Sequence, residues 1–275
     1  MAQTIRKQVL FVGNCNAHDL SLAFSALDAL RGDFEFHHLA LHATPIPSPE
    51  IRQIAQDAHA VFIQNIAEAE RFKEEHVPSG VRCFGYPNLM RRALWPFDGL
   101  VYGRDALAEA DAAKAGFIRF PDGLLGKLRT DVPDPEERFI AYRDLKASGI
   151  NRNFTRLLEM EDEMLTHIDS IFECQLGRYV REQTRTDQLF HWLGHPSGLL
   201  YAALMGYCCA KLDLPDVRPQ PGAVDGWSTM QVPVHPRVAE QLGLEWATPE
   251  RVYTYAPLGQ VTWEQYVKHY IQILG

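Results

Sequence analysis

The sequence predicts an α/β fold: an open, mostly parallel sheet with helices on both faces, joined to a largely helical middle and C-terminal portion. Three observations predict it. Short apolar, β-branched runs alternate with helical patterns through the first hundred residues, the signature of strands joined by crossover helices. From about 135 to 212 the pattern turns almost wholly helical. And 46% of the 275 residues are hydrophobic, enough for a large core without disulfides or metals. The length fits one α/β domain over residues 1–275, with a sheet-forming part over 1–130 and a mainly helical part over 131–275.

The elements follow in order. Gln8 to Val12 reads as a buried strand stopped by Gly13. A helical pattern then runs from about Ala17 to Leu30, with Leu20, Phe24, Leu27 and Leu30 on one face and Gly32 beyond its end. Phe34 to Leu41 predicts a second strand. Ser48-Pro49-Glu50 starts a helix with a cap residue and a first-turn proline. Ala60–Gln64, Val81–Phe84 and Gly99–Tyr102 predict three further strands. Ile150 to Arg185 carries helical periodicity, and its acidic run Glu159–Glu163 reads as a solvated helix face. A second helix is expected after Pro196. Leu214 to Pro236, rich in Pro and Gly, predicts an irregular connection. Thr262 and Gln265 form a capping-box pattern ahead of a last helix to Leu274.

Composition narrows the function. A net charge of −8 repels nucleic acid and anionic lipid. The most apolar stretch, Leu199 to Ala210, is shorter than the roughly 18–20 residues a membrane span needs. The first residues lack the pattern of a signal peptide. Five cysteines occur without a C-x-x-C pair. That argues against a disulfide framework or structural zinc, and for a reducing cytoplasm.

Four places could carry chemistry. Gly13-Asn14-Cys15-Asn16 follows the first strand and opens a helix, where an open parallel sheet puts its functional crevice. A cysteine there would be favoured as thiolate, with a depressed pKa, and the free N–H groups could hold an oxyanion or a phosphate. A small, inert, buried residue fits the position equally well. Gly194-His195-Pro196-Ser197 offers His195 as an acid/base, against a histidine that only caps or packs. His191, four residues earlier, could share a helical face with it; no third ligand is evident, so a metal is not expected. Gln64-Asn65, ending the third strand, puts a side-chain amide at the crevice: Asn65 could donate to an oxyanion or simply turn the chain. Tyr86-Pro87-Asn88-Leu89-Met90-Arg91-Arg92 could grip phosphates through Arg91 and Arg92, or form an exposed basic loop.

Four segments together resemble the WcbI-type family: V-L-F-V-G-N-C-N at 9–16, Y-P-N-L at 86–89, Q-L-F-H-W-L-G-H-P-S at 188–197 and T-W-E-Q-Y-V-K-H-Y at 262–270. The resemblance implies a sugar O-acetyltransferase of capsular polysaccharide biosynthesis that binds coenzyme A. It points to Cys15 and His195 as catalytic groups, and Asn65, from its place at the end of the third strand, joins them as an oxyanion donor. It points to Gly13, Asn14, Asn16, Tyr86, Asn88 and Ser197 as contacts for acetyl-CoA and to a saccharide as acceptor; Arg91 and Arg92, read from their own loop, join the coenzyme contacts. The family's turn is usually G-N-C-Q, and Asn16 replaces that glutamine. A wider similarity is to SGNH-type esterases and acyltransferases, with Cys15 where their serine stands and His195-Pro196 in their His-Pro place. Here Trp192 occupies the position of their aspartate, and 80 residues follow His195. A hydrolase using the same residues, or a protein that only binds coenzyme A or a glycan, are the rival readings.

Overall fold

The structure is a computed structural model that describes residues 6–98, 122–145, 147–217, 225–226, 228–256 and 258–274. The chain opens with β1 (Lys7–Gly13), α1 (Cys15–Ser25), β2 (Phe34–Ala40), α2 (Pro49–Asp57), β3 (Ala60–Gln64), α3 (Ala67–His76) and β4 (Cys83–Tyr86). A 3₁₀ turn at Arg92–Leu94 precedes α4 (Gly123–Asp131), α5 (Pro135–Arg143), α6 (Ala147–Phe172) and α7 (Leu176–Gln183). Then come β5 (Phe190–Trp192), β6 (His195–Pro196), α8 (Gly198–Lys211), α9 (Pro236–Leu242), β7 (Tyr253–Tyr255), β8 (Gly259–Val261) and α10 (Trp263–Leu274). The expected strand at Gly99–Tyr102 lies outside the described residues.

Two compact units emerge. The described residues of the first fall within 6–89, 166–180 and 194–226; those of the second within 90–165, 181–193 and 228–274.

The first unit holds a four-stranded sheet in the order β2-β1-β3-β4, every pair parallel. Val9 to Val12 and Ala60 to Ile63 are at most 1% exposed, because strands covered on both faces must be apolar on both. On one face Leu10, Val12, Val61 and Ile63 pack with Ile54 of α2 and Phe72 of α3. On the other, the ring of Phe11 stacks on Phe24 of α1 at 5.5 Å and on Phe62 at 5.0 Å. Helix α2 starts as its sequence predicts, with Ser48 Oγ accepting the N–H of Ile51. Helix α1 is shorter than its periodicity implied. It stops at Ser25, and Leu27 and Leu30 lie beyond it in the connection to β2, Leu30 in a turn and still buried.

In the second unit, Asp122 caps α4 by accepting from the N–H groups of Leu124 and Leu125. Its other oxygen accepts from the Tyr142 hydroxyl, and its own N–H donates to Tyr270 Oη at 2.8 Å. Tyr142 stacks on Trp263, and His235 meets Trp263 edge-on at 4.9 Å. The capping box of α10 forms reciprocally: Thr262 N–H reaches Gln265 Oε1, and Gln265 N–H reaches Thr262 Oγ1.

One reading needs correction. Glu161, expected on a solvated face, is 4% exposed. It accepts the N–H of Ala93 at 3.1 Å and lies 3.4 Å from the Arg91 guanidinium. A carboxylate at the start of the 3₁₀ turn satisfies donors that burial would otherwise leave open.

Among the described residues, no helix is long and apolar enough to cross a membrane.

Candidate active site

Strand order puts the site where it is. From β1 the chain goes to β2 on one side, then crosses to β3 on the other side of β1. The carboxyl ends of β1 and β3 therefore flank a switch point, where open sheets bind ligands. The register brings Gly13 beside Ala40, Val12 beside Ile63, and Gln64 beside Tyr86.

The turn leaving β1 is built by amides. Asn14 is the N-cap of α1, its Oδ1 accepting the Asn16 N–H at 2.9 Å. The Asn14 N–H donates to Gln64 Oε1 at 2.7 Å. Gln64 Nε2 and Asn14 Nδ2 both approach Asn88 Oδ1, at 3.4 and 3.5 Å. A Cβ on Gly13 would lie 2.4 Å from Gln64 Oε1 and 2.6 Å from the Tyr86 hydroxyl, so no larger residue fits without displacing them.

Cys15 begins α1. Its Sγ lies 3.9 Å from His195 Nε2 and 4.0 Å from Asn14 Oδ1. His195 stands on β6, one residue before Pro196 and three before α8. Ser197, the N-cap of α8, is 4% exposed, and its hydroxyl has no hydrogen-bond partner among the described residues. The N–H of Gly198 donates to Asp225 Oδ2 at 3.3 Å.

The charge state of Cys15 corrects the expectation of a depressed pKa. Burial pushes the thiol up to about 11, and the Asp19 carboxylate adds to the rise. The N–H groups of Cys15 and Asn16 pull the other way and do not win. Desolvating a thiolate outweighs a single helix turn of dipole. The free N–H groups expected at this helix start are also partly used: Asn16 donates to Asn14 Oδ1, and Ala17 to the Asn14 carbonyl.

The structure brings Gly13, Asn14, Cys15, Asn16, Tyr86, Asn88, His195 and Ser197 into one unit. Asn65 is in that unit too, but it is exposed, and its N–H donates to the Tyr86 carbonyl. It is Gln64, fully buried, whose side chain reaches the turn. The signal was present in the sequence: a polar residue closing the apolar run A-V-F-I-Q. Arg91 and Arg92 belong to the second unit. Arg91 is buried against Asp162 at 3.0 Å and Glu161 at 3.4 Å, so its guanidinium is already matched by carboxylates. Arg92 is exposed. His191 does not share a helical face with His195. It is a buried residue of β5 in the second unit, its Nδ1 3.4 Å from Gln188 Nε2. Among the described residues, no three His, Cys, Asp or Glu side chains are grouped to hold a metal ion.

These features define an open-sheet α/β protein with a Cys–His pair at the carboxyl ends of its strands. Residues 8–217 match the model of the polysaccharide biosynthesis enzyme WcbI, and the chain belongs to that family. A solved structure of WcbI resembles it with a TM-score of 0.71 over 98% of this chain and 90% of that one. That protein is described as a novel polysaccharide biosynthesis enzyme, in its native form without a disulfide bond between coenzyme A and one of its cysteines. At 15% identity the likeness shows the fold. No curated protein matches the chain.

Proposed function

We propose that the chain is a coenzyme-A-dependent O-acyltransferase that acetylates a sugar hydroxyl in capsular polysaccharide biosynthesis. The observation that carries this is the 3.9 Å approach of Cys15 Sγ and His195 Nε2 at the switch point of the sheet. Family membership supplies the polysaccharide setting. The solved WcbI is described with reference to a coenzyme A–cysteine disulfide, and Cys15 is the residue here suited to meet a coenzyme thiol. The resemblance to SGNH-type acyltransferases agrees with this use of the strand ends.

A thiol raised to about 11 is almost wholly protonated at neutral pH. This favours direct transfer over an acyl-cysteine intermediate. The acceptor hydroxyl oxygen attacks the thioester carbonyl carbon while His195 takes its proton. The tetrahedral intermediate collapses, the C–S bond breaks, and His195 returns the proton to the departing coenzyme A sulfur. With the coenzyme thiol bound at the strand ends, Cys15 would offer it a neutral S–H. Ser197 offers a buried hydroxyl with no partner among the described residues, a donor for the bound thioester or acceptor. The phosphates of coenzyme A are not assigned to Arg91, because its carboxylate partners already match it.

The test is incubation with acetyl-CoA and a panel of mono- and oligosaccharides, with mass spectrometry of the acceptors. Acetylated sugar supports the reading; acetate release without transfer makes the protein a hydrolase. Coenzyme A should also raise the melting temperature, since a ligand of the folded state stabilises it by mass action. No shift at millimolar coenzyme A sinks the donor assignment.

A further inference from the structure

The second unit carries a cavity of about 670 Å³ that the Cys15–His195 pair does not use. Its walls are the end of α5, helix α9, residues of the chain from Gly243 to Pro249 and the start of α10. The volume falls within the roughly 300–1,000 Å³ of small-molecule sites and has room for more than one six-membered ring. Ala239, Leu244, Ala247 and Trp263 give it a buried apolar base. The Trp263 indole is clamped there. It stacks on Tyr142 at 6.1 Å, tilts against Phe139 at 6.0 Å and meets His235 edge-on at 4.9 Å. A side chain already fixed by folding loses little further freedom when a ligand arrives.

The rim is polar and balanced in charge. Arg143 donates from Nε and Nη2 to the two oxygens of Asp144, both at 2.7 Å. Arg237 Nη1 donates to Glu240 Oε2 at 3.1 Å. These four side chains are 48–71% exposed. Among the described residues, Arg143 Nη1, Arg237 Nη2 and Glu240 Oε1 have no hydrogen-bond partner. Glu264, the remaining charged residue of the wall, is answered by Lys268 Nζ at 2.9 Å. Each carboxylate thus has its cation, and a phosphate or carboxylate ligand finds no surplus positive charge. A neutral polyol finds donors and acceptors side by side. Each of its hydroxyls both donates and accepts, and two neighbouring hydroxyls match a planar carboxylate or guanidinium. The C–H faces of a pyranose ring suit the apolar base.

We propose that this cavity is a binding site for a neutral oligosaccharide, its rings over the Trp263 base and its hydroxyls on Arg143, Asp144, Arg237 and Glu240. Membership in a polysaccharide biosynthesis family makes a glycan the ligand at hand. The site goes beyond that membership: apart from Arg143 and Asp144, its residues lie past the matched span of 8–217. The inference rests on the cavity and the family, not on acyl transfer.

The experiment is isothermal titration of the full chain, without coenzyme A, with neutral trisaccharides of hexoses, N-acetylhexosamines or 6-deoxyhexoses. A trisaccharide of uronic acids and the matching monosaccharides are the comparisons. At least one neutral trisaccharide should bind, more tightly than its monosaccharide and more tightly than the acidic chain. Arg237→Ala and Glu240→Ala should each weaken it about tenfold, the scale of a hydrogen bond to a charged group. Thr248→Trp sets an indole into the cavity from an exposed position and should abolish binding. All three positions are exposed, so melting temperatures should barely move and a loss of binding is not a loss of fold. His195→Ala should bind the sugar as tightly as the unsubstituted protein. No binding of any neutral trisaccharide at millimolar concentration overturns the proposal. So does binding that survives both Arg237→Ala and Thr248→Trp. Loss of binding in His195→Ala overturns it as well, by moving the sugar to the Cys–His pair. The melting-temperature shift with coenzyme A, repeated on Arg237→Ala, should match that of the unsubstituted protein. A failed donor assignment and a failed glycan site are therefore read separately.

Discussion

The backbone N–H of Asn14 donates to Gln64 Oε1 over 2.7 Å, tying the end of β1 to the end of β3. Because a backbone N–H can only donate, Gln64 must present its oxygen there and its nitrogen toward Asn88. Asn88 then shows its oxygen to both Gln64 and Asn14, and the direction of the whole amide chain is set.

Gln64→Met keeps the size and removes the acceptor. It leaves the Asn14 N–H unsatisfied and should cost about 1–3 kcal/mol, read by denaturant unfolding. Asn65→Ala, at an exposed position next door, should stay within about 0.5 kcal/mol. Equal costs at the two positions would remove Gln64 from the site.

Gly13→Ala forces a methyl into space held by Gln64 and the Tyr86 hydroxyl. Overpacking of this kind should cost about 1–3 kcal/mol and lower the melting temperature. It should also weaken any stabilisation by coenzyme A. Gly32→Ala is the comparison, because a Cβ there meets nothing within 4 Å. A Gly13→Ala protein as stable as Gly32→Ala would show that the turn yields easily.

His195→Ala should lower acetyl transfer by roughly 10²–10⁴-fold, the usual loss when a general base is removed. Coenzyme A affinity should stay close to unchanged, since the base acts mainly in the transition state. His191→Ala should affect stability more than rate, as a buried residue of the other unit. An active His195→Ala enzyme would hand the role of base elsewhere.

Asp122→Asn has a pH signature. Burial raises the Asp122 carboxyl from 3.8 to about 7, against the hydrogen bonds it accepts. Between about pH 4 and 7 the unfolded chain releases this proton while the folded chain keeps it. The Asp122 contribution to stability therefore falls as pH rises through that window, then levels off. Asp122→Asn lacks this dependence, so its stability relative to the unsubstituted protein should rise from pH 4 to 7 and flatten above. Thermal melts across pH 4–8 would show it; a constant difference would mean the carboxyl is not raised. His235, lowered by burial to about 4, works in the opposite direction but is present in both proteins.

What the sequence determined by itself was whatever depends on near neighbours along the chain. Apolar runs marked β1 to β3, Ser48-Pro49 marked the start of α2, and Thr262 with Gln265 marked that of α10, because strand burial and helix caps are settled within a few residues. The Gly-Asn-Cys turn and the His-Pro segment were likewise legible as motifs. Tertiary structure alone decided what those motifs meet. Tyr201 reaches Asp19 across 182 residues of sequence, and Arg91 meets Asp162 across 71. Such pairs have no local signature, so the fate of Arg91 and the burial of Glu161 were invisible beforehand. The thiol of Cys15 shows the reason most plainly. Its place at a helix start favours the thiolate, but desolvation depends on everything packed around it. That sum, together with a carboxylate fixed by a distant tyrosine, exceeds the local dipole.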